Sequence, residues 1–410
     1  MRALRFIAPL LLVLATLAGC RSPEELYADG QRLELDGRPA SAAYRYADAL
    51  GASPGLQKAQ GRLQVAGAAA IASYLEDAAA ALERDRLADA ADRYLDADRL
   101  IRRAAEVGVT LDRPADYLDA RRATLDAAFD AAPAEARQLA RAGLFGDAVA
   151  HLDRARRYAD GARGIDLLAT ARGDVLALWA ETDLAMGRYR AAFERAESGR
   201  AVMDALPVAM ESPLLSRLLG IQEEALARGT VRAAVFPVET RDGVVSPRSG
   251  LSDVDRYLTD RLYDGPLSLS PAFVRYAAPP AVRAVLRDVR DDEIFGRPGL
   301  SATLARRLEA DYGVAFRVDS LGVEGGRRGA LVPGADEAER IEVLATLAYA
   351  VTDARTARVV CDGSVEHSET ERVRRGDAAD AQRVALLRLQ DHLAEEVGER
   401  VASCLLARVP

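Results

Sequence analysis

The feature that most constrains this chain is a change of hydrophobic period at Gly229-Thr230. From Glu24 to Ala227, apolar residues recur three and four apart, alanine is abundant and β-branched runs are scarce. Beyond that point short apolar runs alternate with period two. The first pattern buries one stripe of a helix, the second one face of a strand. The chain therefore reads as a helical domain over 21–228 followed by an α/β domain over 229–410, preceded by a short segment over 1–20. Its 410 residues suit two or three domains. Half are hydrophobic, enough for a sizeable core, which excludes a disordered chain. Only 5% are aromatic, which favours close-packed helices over an aromatic-rich sandwich.

Residues 1–20 carry an address. Arg2 and Arg5 precede an apolar run from Phe6 to Leu17, interrupted by Pro9 and ending in Leu17-Ala18-Gly19-Cys20. The run is too short to span a bilayer, which takes about 20 apolar residues. Small residues before a cysteine, directly after such a run, resemble the bacterial lipobox. That resemblance implies cleavage before Cys20 and diacylglycerol on its thiol. Further acylation, for example by palmitate, adds roughly 0.8 kcal/mol per buried CH₂, so two or three chains anchor stably. No other segment is expected to reach spanning length. Arg21 follows the cysteine where an Asp would signal retention, and by resemblance this favours the outer membrane, facing the periplasm. The net charge of −8 offers no general basic field for nucleic acid or anionic lipid, so the expected membrane contact is the lipid itself. Lys58 is the only lysine, which argues against Schiff-base and P-loop chemistry.

Turn signals divide the helical part: Gly37-Arg38-Pro39, Arg113-Pro114, Ala132-Pro133, Gly143, Gly187, Pro207 and Ser212-Pro213. Four helix pairs are similar to tetratricopeptide repeats. The first is carried by Leu26, Gly30, Leu33, Ala42, Tyr46, Ala49 and Pro54. The second is carried by Tyr74, Ala78, Ala81, Ala90, Tyr94 and Ala97. Ala136, Leu139, Gly143, Ala148, Leu152 and Ala155 carry the third, and Ala180, Gly187, Tyr189, Ala192 and Ala196 the fourth. The small anchors Ala42, Ala90, Ala148 and Ala192 are spaced more widely than a regular 34-residue array. A helical-hairpin, tetratricopeptide-like stack is expected, with an Ala-rich coiled or bundled α-domain as the alternative, and either presents a groove for a protein partner. Trp179 and Phe193 read as core residues, with groove lining as the alternative. Charged runs such as 83–86 and 154–157 read as solvated faces with i,i+4 pairs.

In the second part Val231–Val238 reads as a strand, and Leu251, Val254, Leu258 and Leu262 as a helix opened by Ser252 with Asp255 three residues on. Phe273–Tyr276 reads as a strand, and Pro280–Arg290 and Ser301–Tyr312 as helices. Strands are expected at Ala315–Glu324, Ile341–Asp353 and Ala357–Thr370, with a polar loop at Gly325–Glu339. Ala378–Leu406 closes the chain as a long amphipathic helix. The order β-α-β-α-α-β-β-β-α predicts a mixed sheet covered by helices, so the whole chain is of α plus α/β class. The stretches 231–238, 283–287, 304–323 and 348–358 resemble the family of the curli-secretion lipoprotein and penicillin-binding-protein activators. That resemblance implies an envelope lipoprotein binding a synthase or another envelope protein. Curli-type members build an outer-membrane pore, and an export channel stays open as an alternative. The insert 325–339 lacks the roughly 10-residue alternating strands of a barrel.

No catalytic motif, metal-ligand set, cofactor fingerprint or small-molecule site is found among the usual patterns. Three histidines, His151, His367 and His392, read as surface or packing residues. A cell-wall hydrolase using Asp362 or His367, or the pair Asp291-Asp292, is the weakest reading. Cys361 and Cys404 remain once Cys20 is acylated. A strand from Cys361 to about Arg372 and a helix returning to Cys404 cover similar lengths, about 36 Å each. The two thiols are then level, and either a disulfide or two buried thiols fits.

Overall fold

The computed structural model describes residues 21–159, 164–206, 212–244, 253–267, 272–287, 289, 294–326, 339–373 and 378–410. Cys20, Pro207, Ser252, Asp291, Asp292 and residues 327–338 of the polar loop lie outside them. The chain divides into two compact units. One comprises the chain up to Trp179 with Ala201–Leu214, the other Ala180–Arg200 with Leu215–Pro410.

Helices α1 (Pro23–Leu35), α2 (Pro39–Ala52), α3 (Gln57–Leu82), α4 (Leu87–Glu106), α5 (Tyr117–Arg141), α6 (Phe145–Ala155), α7 (Ile165–Ala185), α8 (Tyr189–Asp204) and α9 (Pro213–Gly229) come first. A capping box opens α1: the Glu25 N–H donates to Ser22 Oγ, and the Ser22 N–H donates to Glu25 Oε2 at 2.9 Å. Tight turns join α1 to α2, α3 to α4, α5 to α6 and α7 to α8. Each holds one residue in the left-handed region: Gly37 (φ +68°), Asp85 (+55°), Gly143 (+80°) and Gly187 (+74°). In each, the following N–H reaches a carbonyl five residues back. Arg38 donates to Leu33, Arg86 to Ala81 and Leu144 to Leu139 at 2.9 Å, and Arg188 to Asp183 at 2.8 Å. The anchors Ala42, Ala90, Ala148 and Ala192 follow these four turn residues at one constant offset, and all four are fully buried. The wide spacing thus reflects longer helices around one recurring turn.

Small side chains set how closely the helices approach. A Cβ on Gly30 would meet the Tyr46 ring at 2.5 Å, and the Tyr46 hydroxyl donates to Glu34 Oε2 at 2.7 Å, which holds the ring in place. Ala78, Ala81, Ala90 and Ala97 close around Tyr94 and Tyr117. Ala132 and Ala136 pack with Ala148, Leu152 and Ala155.

Three expectations are corrected here. Ala132-Pro133 is no turn: α5 runs through it, with Pro133 buried, and the proline removes one helical donor without ending the helix. One further segment does reach spanning length. α3 has 26 residues and is apolar enough by composition, yet its Ala59, Leu63, Ala70 and Ile71 are packed in the helical core. The 154–157 run is not a set of i,i+4 pairs. Arg154 reaches Asp89 at 2.7 Å and Asp92 at 3.0 Å, and Arg157 reaches Asp92 at 3.3 Å, tying α6 to α4. The hydrogen bond from Arg154 holds the Asp89 carboxyl below its ordinary value.

The second unit carries β1 (Val231–Thr240), α10 (Val254–Asp264), β2 (Val274–Tyr276), α11 (Pro279–Leu286), α12 (Pro298–Arg307), β3 (Tyr312–Gly326), β4 (Glu339–Asp353), β5 (Val359–Val373) and α13 (Ala378–Leu406). The element order is the one the period changes predict. The sheet runs β2-β1-β3-β4-β5. β1 is parallel to both neighbours, while β3, β4 and β5 form an antiparallel meander. Alternation along β1 serves two cores. Ala233 and Val235 join a core with α10 and α13, and Ala234 and Phe236 join one with α11 and α12. The β1–β3 register shifts between Val235 and Val238, where Pro237 has no N–H to give to the ladder. Helix α12 stops at Arg307, short of the expected Tyr312. Glu309 takes φ +52° and the Ala310 N–H caps Ala305 at 2.9 Å, which frees Tyr312 to open β3 opposite Asp353. The Tyr276 hydroxyl, on edge strand β2, is buried with no hydrogen-bond partner among the described residues, and burial pushes its pKa up to about 12.

Three outcomes follow for stability. Gly30→Ala is expected to destabilise the helical unit by about 1–3 kcal/mol through overpacking. Gly61→Ala, which meets nothing within 4 Å on helix α3, is expected to stabilise it by about 0.4–1 kcal/mol. Urea unfolding followed by circular dichroism separates the two signs. Tyr276→Phe, which deletes an unsatisfied buried hydroxyl, is expected to be neutral or to stabilise by about 1 kcal/mol in the same measurement.

Candidate functional site

The long helix α13 lies along the edge strand β5, and the two elements meet in a seam with a fixed step. Four residues of helix rise about 6 Å and two residues of strand about 6.6 Å, so helix and strand keep nearly equal pace along the seam. Arg388 donates to Glu371 Oε2 at 2.8 Å. His392 meets Glu369 and His367. Arg400 donates to the Ser364 carbonyl at 3.0 Å, and Arg408 to the Val360 carbonyl at 2.8 Å. Between those two arginines Cys404 is joined to Cys361 by a disulfide, with Cα atoms 6.4 Å apart. Beneath the seam Ala385, Leu389, Leu393, Val397 and Val401 are buried on the sheet.

The seam brings three ligand-type side chains together. His367 and Glu369, two apart on β5, project from the face that α13 covers, and His392 comes down from the helix. His367 Nε2 lies 3.2 Å from Glu369 Oε1, His392 Nδ1 lies 2.9 Å from the same oxygen, and the two nitrogens are 3.1 Å apart. The rings cross edge to face at 81°. The Glu369 side chain is 18% exposed and that of His392 54%, so the cluster opens toward solvent on the helix side. Among the described residues this is the one group of three or more His, Cys, Asp or Glu whose ligand atoms converge closely enough to share an ion.

The other residues singled out from the sequence lie apart from it. His151 Nε2 sits 2.8 Å from Glu135 Oε2 in the helical unit. Asp362 is exposed on the opposite face of β5 from His367. Trp179 stacks on Phe145 at 5.4 Å, and Phe193 packs edge-on against Phe273 at 5.3 Å. Sequence reasoning missed the grouping of His367, Glu369 and His392. The signal was available in the arithmetic that levels Cys361 with Cys404: six residues up the strand and twelve back along the helix cover about 20 and 18 Å. The helical unit carries a cleft of about 500 Å³, floored by Leu152 and Leu168 and edged by Asp153, Arg156 and Arg172.

Comparison with known proteins adds likenesses of low extent. No protein-family model and no curated protein matches the chain. Among solved structures, a hypothetical protein from Chlamydia trachomatis is similar at 13% identity and a TM-score of 0.27, over 44% of this chain and 99% of that one. A putative lipoprotein from Caulobacter crescentus is similar at 15% identity and 0.22, over 42% and 92%. A lipoprotein from Neisseria meningitidis is similar at 14% identity and 0.25, over 40% and 97%. At these values the likeness carries no argument about what this chain does.

Opening the disulfide is expected to cost the second unit about 2–4 kcal/mol, since it closes a 43-residue loop in the unfolded chain. Urea midpoints of wild type with and without reductant, and of the Cys361→Ser, Cys404→Ser double variant, measure it. Coincidence of the three curves would show that the bridge adds nothing.

Proposed function

We propose that this chain is a lipid-anchored protein of a bacterial cell envelope that scaffolds or regulates another envelope protein without catalysing a reaction itself. The observation that carries the reading is Leu17-Ala18-Gly19-Cys20 placed directly after a short basic and apolar leader. A thiol in that setting is an acylation site, and two or more chains hold a protein at a bilayer where one does not. The capping box fits the same reading, because it caps the helix Pro23–Leu35 at Ser22, two residues from the proposed anchor. Helical hairpins stacked around small residues give a broad side-chain surface, and the cleft lined by Leu152, Leu168 and Arg172 offers a peptide both an apolar floor and charge. Arg21 in place of Asp supports the outer membrane. The resemblance of the second unit to the curli-secretion and penicillin-binding-protein-activator lipoproteins supports a role in secretion or cell-wall synthesis.

Cys20→Ser is expected to abolish palmitate labelling and to move the protein from the membrane pellet to the soluble fraction. Retention of the variant in the pellet, unlabelled, would remove the anchor. Crosslinking in intact cells, followed by purification of the full chain in detergent, is expected to recover one stoichiometric envelope protein. The same purification with Arg172→Glu and Leu168→Asp in the cleft is expected to lose it.

A further inference from the structure

We propose that His367, Glu369 and His392 form a binding site for a divalent transition-metal ion, zinc first, which clamps α13 to the edge strand β5. The three atoms form a near-equilateral triangle with sides of 2.9, 3.1 and 3.2 Å. Zinc bonds imidazole nitrogen and carboxylate oxygen at about 2.0–2.1 Å, which places neighbouring ligand atoms of a tetrahedral site about 3.3 Å apart. The triangle is one slightly compressed face of that tetrahedron. Hydrogen bonding alone serves the same three atoms poorly. If both imidazoles donate to Glu369, their N–H groups face each other across 3.1 Å. If one is deprotonated there, it can accept from the other ring but no longer donates to the carboxylate. A cation satisfies all three lone pairs at once.

The donor chemistry selects the ion. Two imidazoles and one carboxylate suit zinc, copper, nickel or iron, whereas calcium and magnesium take all-oxygen sets. One negative charge among the ligands leaves the loaded site with net charge +1. Two cations of the same seam are engaged elsewhere: Arg388 by Glu371 and Arg400 by Ser364 and Glu396. His392 is half exposed, so water fills the fourth position. The ion would join the same strand and helix as Cys361–Cys404, farther along the seam, and does not depend on the proposed role of the whole chain.

The test uses the full-length chain, expressed with its leader, purified in detergent without a polyhistidine tag and stripped with chelator. Zn²⁺ is titrated against a chromophoric competitor. One ion per chain is expected, with calcium and magnesium unable to displace it. His367→Ala and His392→Ala are each expected to weaken binding tenfold or more, and His151→Ala to leave it unchanged. Added Zn²⁺ is expected to raise the melting temperature of wild type and not of the two weakened variants. Circular dichroism in chelator checks that the variants fold. Glu369→Gln, which keeps the side chain's shape and removes its charge, is read separately through the visible absorption of the Co²⁺-loaded chain, expected to be lost or shifted. Absence of stoichiometric Zn²⁺ binding by wild type would overturn the site. So would binding undiminished in the His367→Ala, His392→Ala double variant, or loss of binding in His151→Ala alone.

Discussion

The apolar stripe of α13 on the β4–β5 hairpin is the contact on which the second unit depends. β5 is an edge strand of 15 residues, with β4 on one side only. An edge of that length offers unpaired backbone groups to any passing strand. Leu389, Leu393, Val397 and Val401 bury the sheet face beside it, while Arg400 and Arg408 take two of its carbonyls. The disulfide and the His-Glu-His cluster lie on this same seam. A helix returning antiparallel along its strand thus brings residues 25 and 43 positions apart into contact from a single packing geometry.

The helical hairpins rest on a different constraint, side-chain volume. Glycine or alanine stands where two helices cross, and tyrosine fills the gap beside them: Tyr46 over Gly30, Tyr94 and Tyr117 among Ala78, Ala90 and Ala97. Each tyrosine ring is apolar in body and needs a polar partner for its hydroxyl. Glu34 takes that of Tyr46, and Asp98 that of Tyr117. Some acidic residues along the helices therefore have inward tasks, alongside those that only solvate the surface.

Much of this architecture was legible in the sequence because a change of period needs no partner to be read. The strand and helix order of the second part emerged from alternation alone, and the long C-terminal helix from its stripe and its lack of turn residues. Boundaries failed where the backbone turned without glycine. Asp85 and Glu309 both adopt positive φ, and neither announces it. Pro133 failed in the opposite sense, as a breaker that tertiary packing absorbs. The His-Glu-His cluster was missed for another reason. His367 and Glu369 share a face by simple alternation, but His392 joins them only through the register of helix against strand, and register follows from packing.

The capped start of α1 has a mechanical corollary. Two residues separate Cys20 from the first helical position, and an extended chain spans about 3.5 Å per residue. An acylated Cys20 would give the first helix a leash of roughly 10 Å and no more. The start of that helix would then stay at the bilayer surface, and any distance from the membrane would have to be covered by folded helices and not by linker.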